Sequence, residues 1–368
     1  MAGELGILGY DFVELYVGSA RAVAYWHARA LGLPVTGFRG PETGVRDRCS
    51  YLLEKDKLRI VITSALQPST DEVQSFVHRH GDGVRRWGMR VKSVDAIWEH
   101  ALANGAVPVR PPENVGDNHG TLRQAAIKLY DTAEIVFVDR SRYEGLFQPG
   151  FEPPPADTPQ PIADPGLLAV DHIVGNVRVN EMERWAGYLS EALGFEPFVY
   201  FGPGDISTAY SSLLSRVVRS PDGLIKNPIN EPYPGRRKSQ IQEYLEQYHG
   251  TGIQHVALLV KDIVHAVATL RAAGVQFLAV PDTYYDALRQ RPDFGLTESI
   301  DDLRAQGILC DVEGQGYLLQ LFTQPVGDRP TFFYELIQRR KGATGFGHGN
   351  FQALFESIEA AQVRRGNV

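Results

Sequence analysis

Cysteine is nearly missing from this chain: Cys49 and Cys310 are the only two in 368 residues. They form no CxxC pair and no framework, so disulfide scaffolds and thiolate metal clusters are not expected, and a reducing, cytoplasmic setting is. A basic excess is missing too. Lys and Arg number 37 against 44 Asp and Glu, a formal net charge of −7. With no positive surplus to neutralise phosphates, neither nucleic acid nor an anionic membrane is an expected partner. No apolar run approaches the roughly 20 residues that span a bilayer. Met1-Ala-Gly-Glu-Leu5 lacks the basic and apolar regions of a secretory signal. What is left is the composition of an ordinary soluble globular protein, 43% hydrophobic and 22% charged, long enough for two domains.

Proline, by contrast, is concentrated. Pro149, Pro153, Pro154, Pro155, Pro159, Pro161 and Pro165 crowd one stretch, which cannot keep a regular backbone ladder and reads as an extended linker over 149–165. It separates a first half, 1–148, from a second, 166–368. The halves repeat each other. His80-Gly-Asp-Gly-Val84 parallels His249-Gly-Thr-Gly-Ile253, an offset of 169 (249 − 80). In each copy a strand then leads to Ser93 or Asp262 as N-cap, an amphipathic helix, and a stop at Gly105 or Gly274. Upstream, Gly9-Tyr-Asp-Phe-Val13 parallels Ala169-Val-Asp-His-Ile173 at an offset of 160. Strand, helix, three strands, taken twice per half, predicts an α+β protein with two curved mixed sheets and helices outside. Such a concave sheet can hold a small ligand.

The second copy places His172, His255 and Glu335 at matching points of its strands, 83 (255 − 172) and 80 (335 − 255) residues apart. Glu335 lies in the strand-like run Thr331–Gln338 between bulky apolar neighbours, where an unpaired charge is costly. Two histidines and a carboxylate are the ligand set of non-haem Fe(II) oxygenases, which leaves coordination positions open. In the first copy these positions are Phe12, Arg86 and Val136. The second half is therefore read as the working copy and the first as a scaffold without metal. Gly345-x-Gly, between strand and helix, invites a dinucleotide reading. It fails because the third glycine is at 349 and only 18 residues follow position 350, too few for a βαβ unit.

From about Gly166 onward the chain resembles the 4-hydroxyphenylpyruvate dioxygenase family of the vicinal-oxygen-chelate superfamily. The resemblance is carried by Asp171-His-Ile-Val-Gly-Asn-Val177, Pro228-Ile-Asn-Glu-Pro232, Lys238–Leu245, Gly252-Ile-Gln-His-Val256, Gly316–Phe322, Asp328-Arg-Pro-Thr331 and Gly345-Phe-Gly-His-Gly-Asn-Phe351. It implies two vicinal-oxygen-chelate domains, each of two βαβββ units forming an open barrel. It also implies an Fe(II) enzyme whose substrate carries its own 2-oxo acid. 4-Hydroxyphenylpyruvate and O₂ would give homogentisate and CO₂ by oxidative decarboxylation, ring hydroxylation and side-chain migration, a step of tyrosine and phenylalanine catabolism. The metal ligands would be His172, His255 and Glu335. Substrate would be bound by Ser215, Asn230, Gln240, Gln254, Gln320, Phe322, Phe333, Phe346, Asn350 and Phe351, with Gln254, Gln320 and Asn350 in catalytic roles. Amides and a hydroxyl orient a carboxylate or phenol, and phenylalanines hold an aromatic ring.

Because Gln254 adjoins His255 on a strand, it is expected on the opposite face. The run from Phe351 to about Arg364 places Phe351, Leu354, Phe355 and Ile358 on one helical face. With Asn350 as N-cap, it is expected to form a lid over the pocket. A homodimer or homotetramer is a family expectation. His348, Tyr334 and 287–298 depart from the family pattern. Two other readings stand beside this one: 4-hydroxymandelate synthase, which hydroxylates the benzylic carbon of the same substrate, and a non-catalytic binding protein of the same fold. Phe351 and Asn230 favour the dioxygenase, and an intact triad disfavours the binding protein.

Overall fold

The computed structural model describes residues 5–68, 72–202, 204–205, 212–291 and 294–350, and from the C-terminal segment residues 353, 355, 357–359, 362–363 and 366. The first half runs β1 (Ile7–Tyr16), α1 (Ala20–Arg29), β2 (Val35–Arg39), β3 (Arg48–Lys55), β4 (Leu58–Ala65), α2 (Glu72–His80), β5 (Gly83–Val91), α3 (Val94–Ala103), β6 (Pro108–Asp117), β7 (Gly120–Leu129) and β8 (Ala133–Tyr143). The second runs β9 (Leu167–Asn176), α4 (Met182–Leu193), β10 (Glu196–Phe201), β11 (Ser212–Arg219), β12 (Lys226–Tyr233), α5 (Gln240–Tyr248), β13 (Gly252–Val260) and α6 (Ile263–Ala272). It continues through α7 (Asp282–Arg289), α8 (Ile300–Gln306), β14 (Leu309–Glu313), β15 (Gly316–Phe322) and β16 (Phe333–Arg340).

The strands form two eight-stranded sheets of identical order, β2-β3-β4-β1-β5-β8-β7-β6 and β10-β11-β12-β9-β13-β16-β15-β14. The repeat in the sequence is thus a repeat of topology. Each sheet is mixed and curved into a half-barrel, its middle pairs parallel at β1–β4 and β5–β8, and at β9–β12 and β13–β16. Helices α3, α6 and α5 start where capping chemistry places them. Ser93 Oγ accepts from Ala96 N–H, Asp262 Oδ1 from His265 N–H, and Ser239 Oγ from Gln242 N–H. Gly105 and Gly274 end their helices at φ 84° and 94°, the left-handed conformation glycine adopts without strain.

One strand escaped the reading from residue types. β12 contains Pro228 and Pro232, which lack ladder donors. It is tolerated because its parallel ladder to β9 is confined to Ile229 and Asn230, between the prolines. Among the described residues no helix is long and apolar enough to cross a membrane.

The largest buried cluster belongs to both halves. It joins Leu15, Trp87, Tyr130 and Ile135 to Ile173, Trp185, Val256 and Tyr334. Tyr130 and Trp185 meet edge to face at 5.1 Å across this seam. Two buried histidines also cross it. His27 Nδ1 donates to Val23 O, and its Nε2 accepts from the Tyr334 hydroxyl at 2.8 Å. His80 Nδ1 donates to Tyr248 O at 2.6 Å.

Burial, partly offset by the carbonyl bonds, lowers both imidazoles from 6.5 to about 4. Each is neutral in the fold but takes a proton in the unfolded chain below 6.5. Their stabilisation is therefore whole above pH 6.5 and is lost as the pH falls toward 4, by roughly 3 kcal/mol for His27. Urea midpoints measured between pH 7 and 4.5 should fall accordingly. His80→Asn keeps a donor at the Nδ1 position but cannot be protonated, so it should show a shallower fall. An unchanged slope would show that His80 does not contribute.

Candidate metal centre

β9, β13 and β16 lie side by side at the middle of the second sheet. Ala257 pairs with His172 on one side and with Glu335 on the other. His255 is two residues from Ala257 on β13. All three side chains therefore point to the concave face, as the period of two requires. His172, His255 and Glu335 are 2%, 7% and 3% exposed. His172 Nε2 lies 3.1 Å and His255 Nε2 3.4 Å from Glu335 Oε2. One ligand atom from each of the three falls within 4.8 Å of the others.

The other ring nitrogens are occupied. His172 Nδ1 donates to Asp171 Oδ1 at 2.8 Å, and His255 Nδ1 to Gln254 Oε1 at 3.0 Å. Both imidazoles, when neutral, thus aim an Nε2 lone pair at the same carboxylate oxygen. That arrangement is unfavourable without a cation in the middle and suits a metal ion. Burial opposes charge at all three groups. At Glu335 it is outweighed by the two histidines, so the carboxyl is held below its ordinary value. At His172 it is outweighed by Glu335 and Asp171, which raise the imidazole. At His255 burial prevails and lowers it.

Asp171 is gripped by Arg339, with Nε at 2.8 Å from Oδ2 and Nη2 at 2.7 Å from Oδ1, while Arg339 Nη1 donates to Gly345 O. Burial would raise the Asp171 carboxyl, but Arg339 and His172 together hold it far below the usual carboxylate range. The same pair recurs in the first half, where Arg140 binds Asp11 through Nε and Nη2. Asp171 opens one of the quoted motifs and Arg339 directly follows the run 331–338, yet the sequence alone assigned a role to neither. The signal that would have found them is that each has a counterpart in the first half, Asp11 at the offset of 160 and Arg140 at 199 (339 − 140).

Gln254 departs from expectation. It lines the same cavity as His255, not the opposite face. β13 breaks register against β9 between Ile253 and His255, and a bulge of this kind turns two consecutive side chains to one side. Asn230, Gln240, Gln320, Phe322, Phe333 and Phe346 also line the cavity, which encloses about 60 Å³. Phe333 stacks on the His255 ring at 4.8 Å, and Phe346 meets His172 edge-on at 5.0 Å. Phe355 and Ile358 of the C-terminal segment close the cavity.

Ser215 is buried beside it, paired in register with Asn230 and Phe201. Asn350 is buried off the lining, and its Oδ1 accepts from the Tyr284 hydroxyl. Phe351 and the start of the terminal helix lie outside the described residues. Tyr334, divergent by sequence, is the seam residue that binds His27.

Gln320 Oε1 is buried without a partner, aimed at the glycine loop. Gly347 has φ 78°, and a Cβ there would lie 2.2 Å from that oxygen. Gly347→Ala should displace the Gln320 amide and lower kcat/KM by roughly tenfold or more. Steady-state kinetics would check it, and an unchanged kcat/KM would remove Gln320 from the site.

The family model of the Glyoxalase/Bleomycin resistance protein/Dioxygenase superfamily matches residues 169–294. The chain is 40% identical to the 4-hydroxyphenylpyruvate dioxygenase of Yarrowia lipolytica over 98% of its length and 93% of that protein. It is 40% identical to that of Caenorhabditis briggsae over 98% and 94%. Among solved structures, a triple mutant of 4-hydroxymandelate synthase from Streptomyces coelicolor superposes with a TM-score of 0.86 at 29% identity, over 97% of this chain and all of that one.

Proposed function

Since the chain belongs to the 4-hydroxyphenylpyruvate dioxygenase family, we propose that Fe(II) is the ion held by His172, His255 and Glu335. The enzyme converts 4-hydroxyphenylpyruvate and O₂ to homogentisate and CO₂ in the breakdown of tyrosine and phenylalanine. The observation that carries the reading is the convergence of the three buried donors on one point inside an amide- and phenylalanine-lined cup. Bound there, Fe(II) supplies Lewis acidity toward the 2-oxo acid and redox chemistry toward O₂.

The protein's own part is positioning. Asp171 keeps the proton on His172 Nδ1, and Gln254 keeps that on His255 Nδ1, leaving both Nε2 atoms free to ligate. The amides of Gln254, Gln320, Asn230 and Gln240, with the Ser215 hydroxyl behind them, orient the substrate's polar ends. Phe322, Phe333 and Phe346 hold its ring beside the triad, so that hydroxylation falls on the carbon bearing the side chain. Asn350, fixed by Tyr284, secures the base of the lid, while Phe355 and Ile358 exclude water. In this reading 1–148 is a scaffold without metal, 149–165 a joint, and 166–368 the catalytic half. The assembly is a homodimer or homotetramer in the cytoplasm.

Protein loaded anaerobically with Fe(II), then given 4-hydroxyphenylpyruvate and O₂, should take up O₂ and release homogentisate, identified by mass and NMR. Hydroxymandelate as product would overturn the assignment, and so would an absence of O₂ uptake.

A further inference from the structure

The first sheet also encloses a cup. Its cavity is about 440 Å³, within the roughly 300–1,000 Å³ of small-molecule sites. Phe12, Arg86 and Val136 stand where the other cup has His172, His255 and Glu335. Strand register supports the match: Val136 pairs with Gly88 as Glu335 pairs with Ala257, and Arg86 with Glu14 as His255 with Val174. This cup lacks the two histidines and the carboxylate at those three positions, but it keeps polar positions. Ser50 and Thr63 pair across β3–β4 as Ser215 and Asn230 pair across β11–β12. Gln124 opposes Val138 as Gln320 opposes Ile337.

We propose that this cup binds a small organic carboxylate with an aromatic body, with Arg39 as the anion receptor. The lining holds four arginines, 39, 48, 86 and 110, against three glutamates, 14, 72 and 134, a surplus of one positive charge (4 − 3). That surplus is localised. Arg86 is paired with Glu14 at 3.1 Å and Glu72 at 3.0 Å, Arg48 with Glu72 at 3.4 Å, and Arg110 with Glu113 at 3.6 Å. Arg39 has no carboxylate partner among the described residues. Its Nε is buried without a hydrogen bond, and among the described residues its side chain makes one hydrogen bond, to Ser50 Oγ, which is long at 3.5 Å.

The guanidinium lies over the Phe151 ring at 4.9 Å, which holds its plane and leaves its edge for a bidentate anion. Phe151 and Phe12 each meet Phe147 edge to face at 5.2 Å. With Val61 and Val136 they form an apolar end suited to a ring. The proposal is independent of the reaction assigned to the other cup.

Crystals of the metal-loaded protein equilibrated with millimolar 4-bromobenzoate should show a bromine anomalous peak among Phe12, Phe147 and Phe151. In Arg39→Gln that peak should vanish, and affinity at this site by isothermal titration should fall roughly ten- to hundredfold. Val136→Trp, which fills the cup from the wall and leaves Arg39 intact, should also abolish it if Arg39→Gln proves unstable. A peak confined to the metal cup, no peak at all, or one that persists in either variant would overturn the proposal.

Discussion

Glu335→Gln is expected to leave a folded protein that no longer retains metal and turns over at least about a thousandfold more slowly, equivalent to about 4 kcal/mol in the barrier. The carboxylate is the only anion among the three proposed ligands, and both imidazoles face it through Nε2. Glutamine keeps its volume but not its charge. Its amide can donate to a neutral imidazole Nε2, but it cannot replace the attraction between the carboxylate and a protonated His172. The metal-free variant should therefore unfold at a lower temperature than metal-free wild type, because the interaction that holds the Glu335 carboxyl below its ordinary value and raises His172 is lost. Plasma emission for bound metal and calorimetry for the unfolding temperature are the two measurements. Stoichiometric metal in the variant would remove Glu335 from the ligand set.

Asp171→Asn should weaken metal binding roughly ten- to hundredfold, the usual effect of losing the partner that orients a ligand histidine. It should also cost about 3 kcal/mol of stability, because Arg339 would lose the anion that balances its buried charge. The first half supplies the control. Asp11 and Arg140 form the same bidentate pair where no ligand histidine exists. Asp11→Asn should carry a similar loss of stability with no change in metal affinity. Equal effects of the two variants on metal affinity would show that Asp171 acts through the fold alone.

The repeat is why so much of the architecture was legible in the residues. Constant offsets of 160 and 169 mark strands that occupy the same place in two sheets, and a ligand set present in one copy and missing from the other stands out against that background. What escaped notice depends on partners that a single strand does not reveal. Gln254 shares a face with His255 only because β13 slips against β9. β12 survives its two prolines because of where its neighbour ends. Tyr334, which departs from the family pattern, has its partner 307 residues away in His27. Arg39 drew no attention because its meaning lies in a carboxylate that is not there.

Tyr334 sits between Phe333 and Glu335 on β16. Its side chain points away from the cup, into the seam where His27 holds it. The strand that carries the carboxylate is thus pinned from behind by the half that has no ligands. Severing the polypeptide at its proline-rich joint and purifying the C-terminal fragment would leave that strand without its splint. The fragment with His172, His255 and Glu335 is then expected to hold its own acid less firmly.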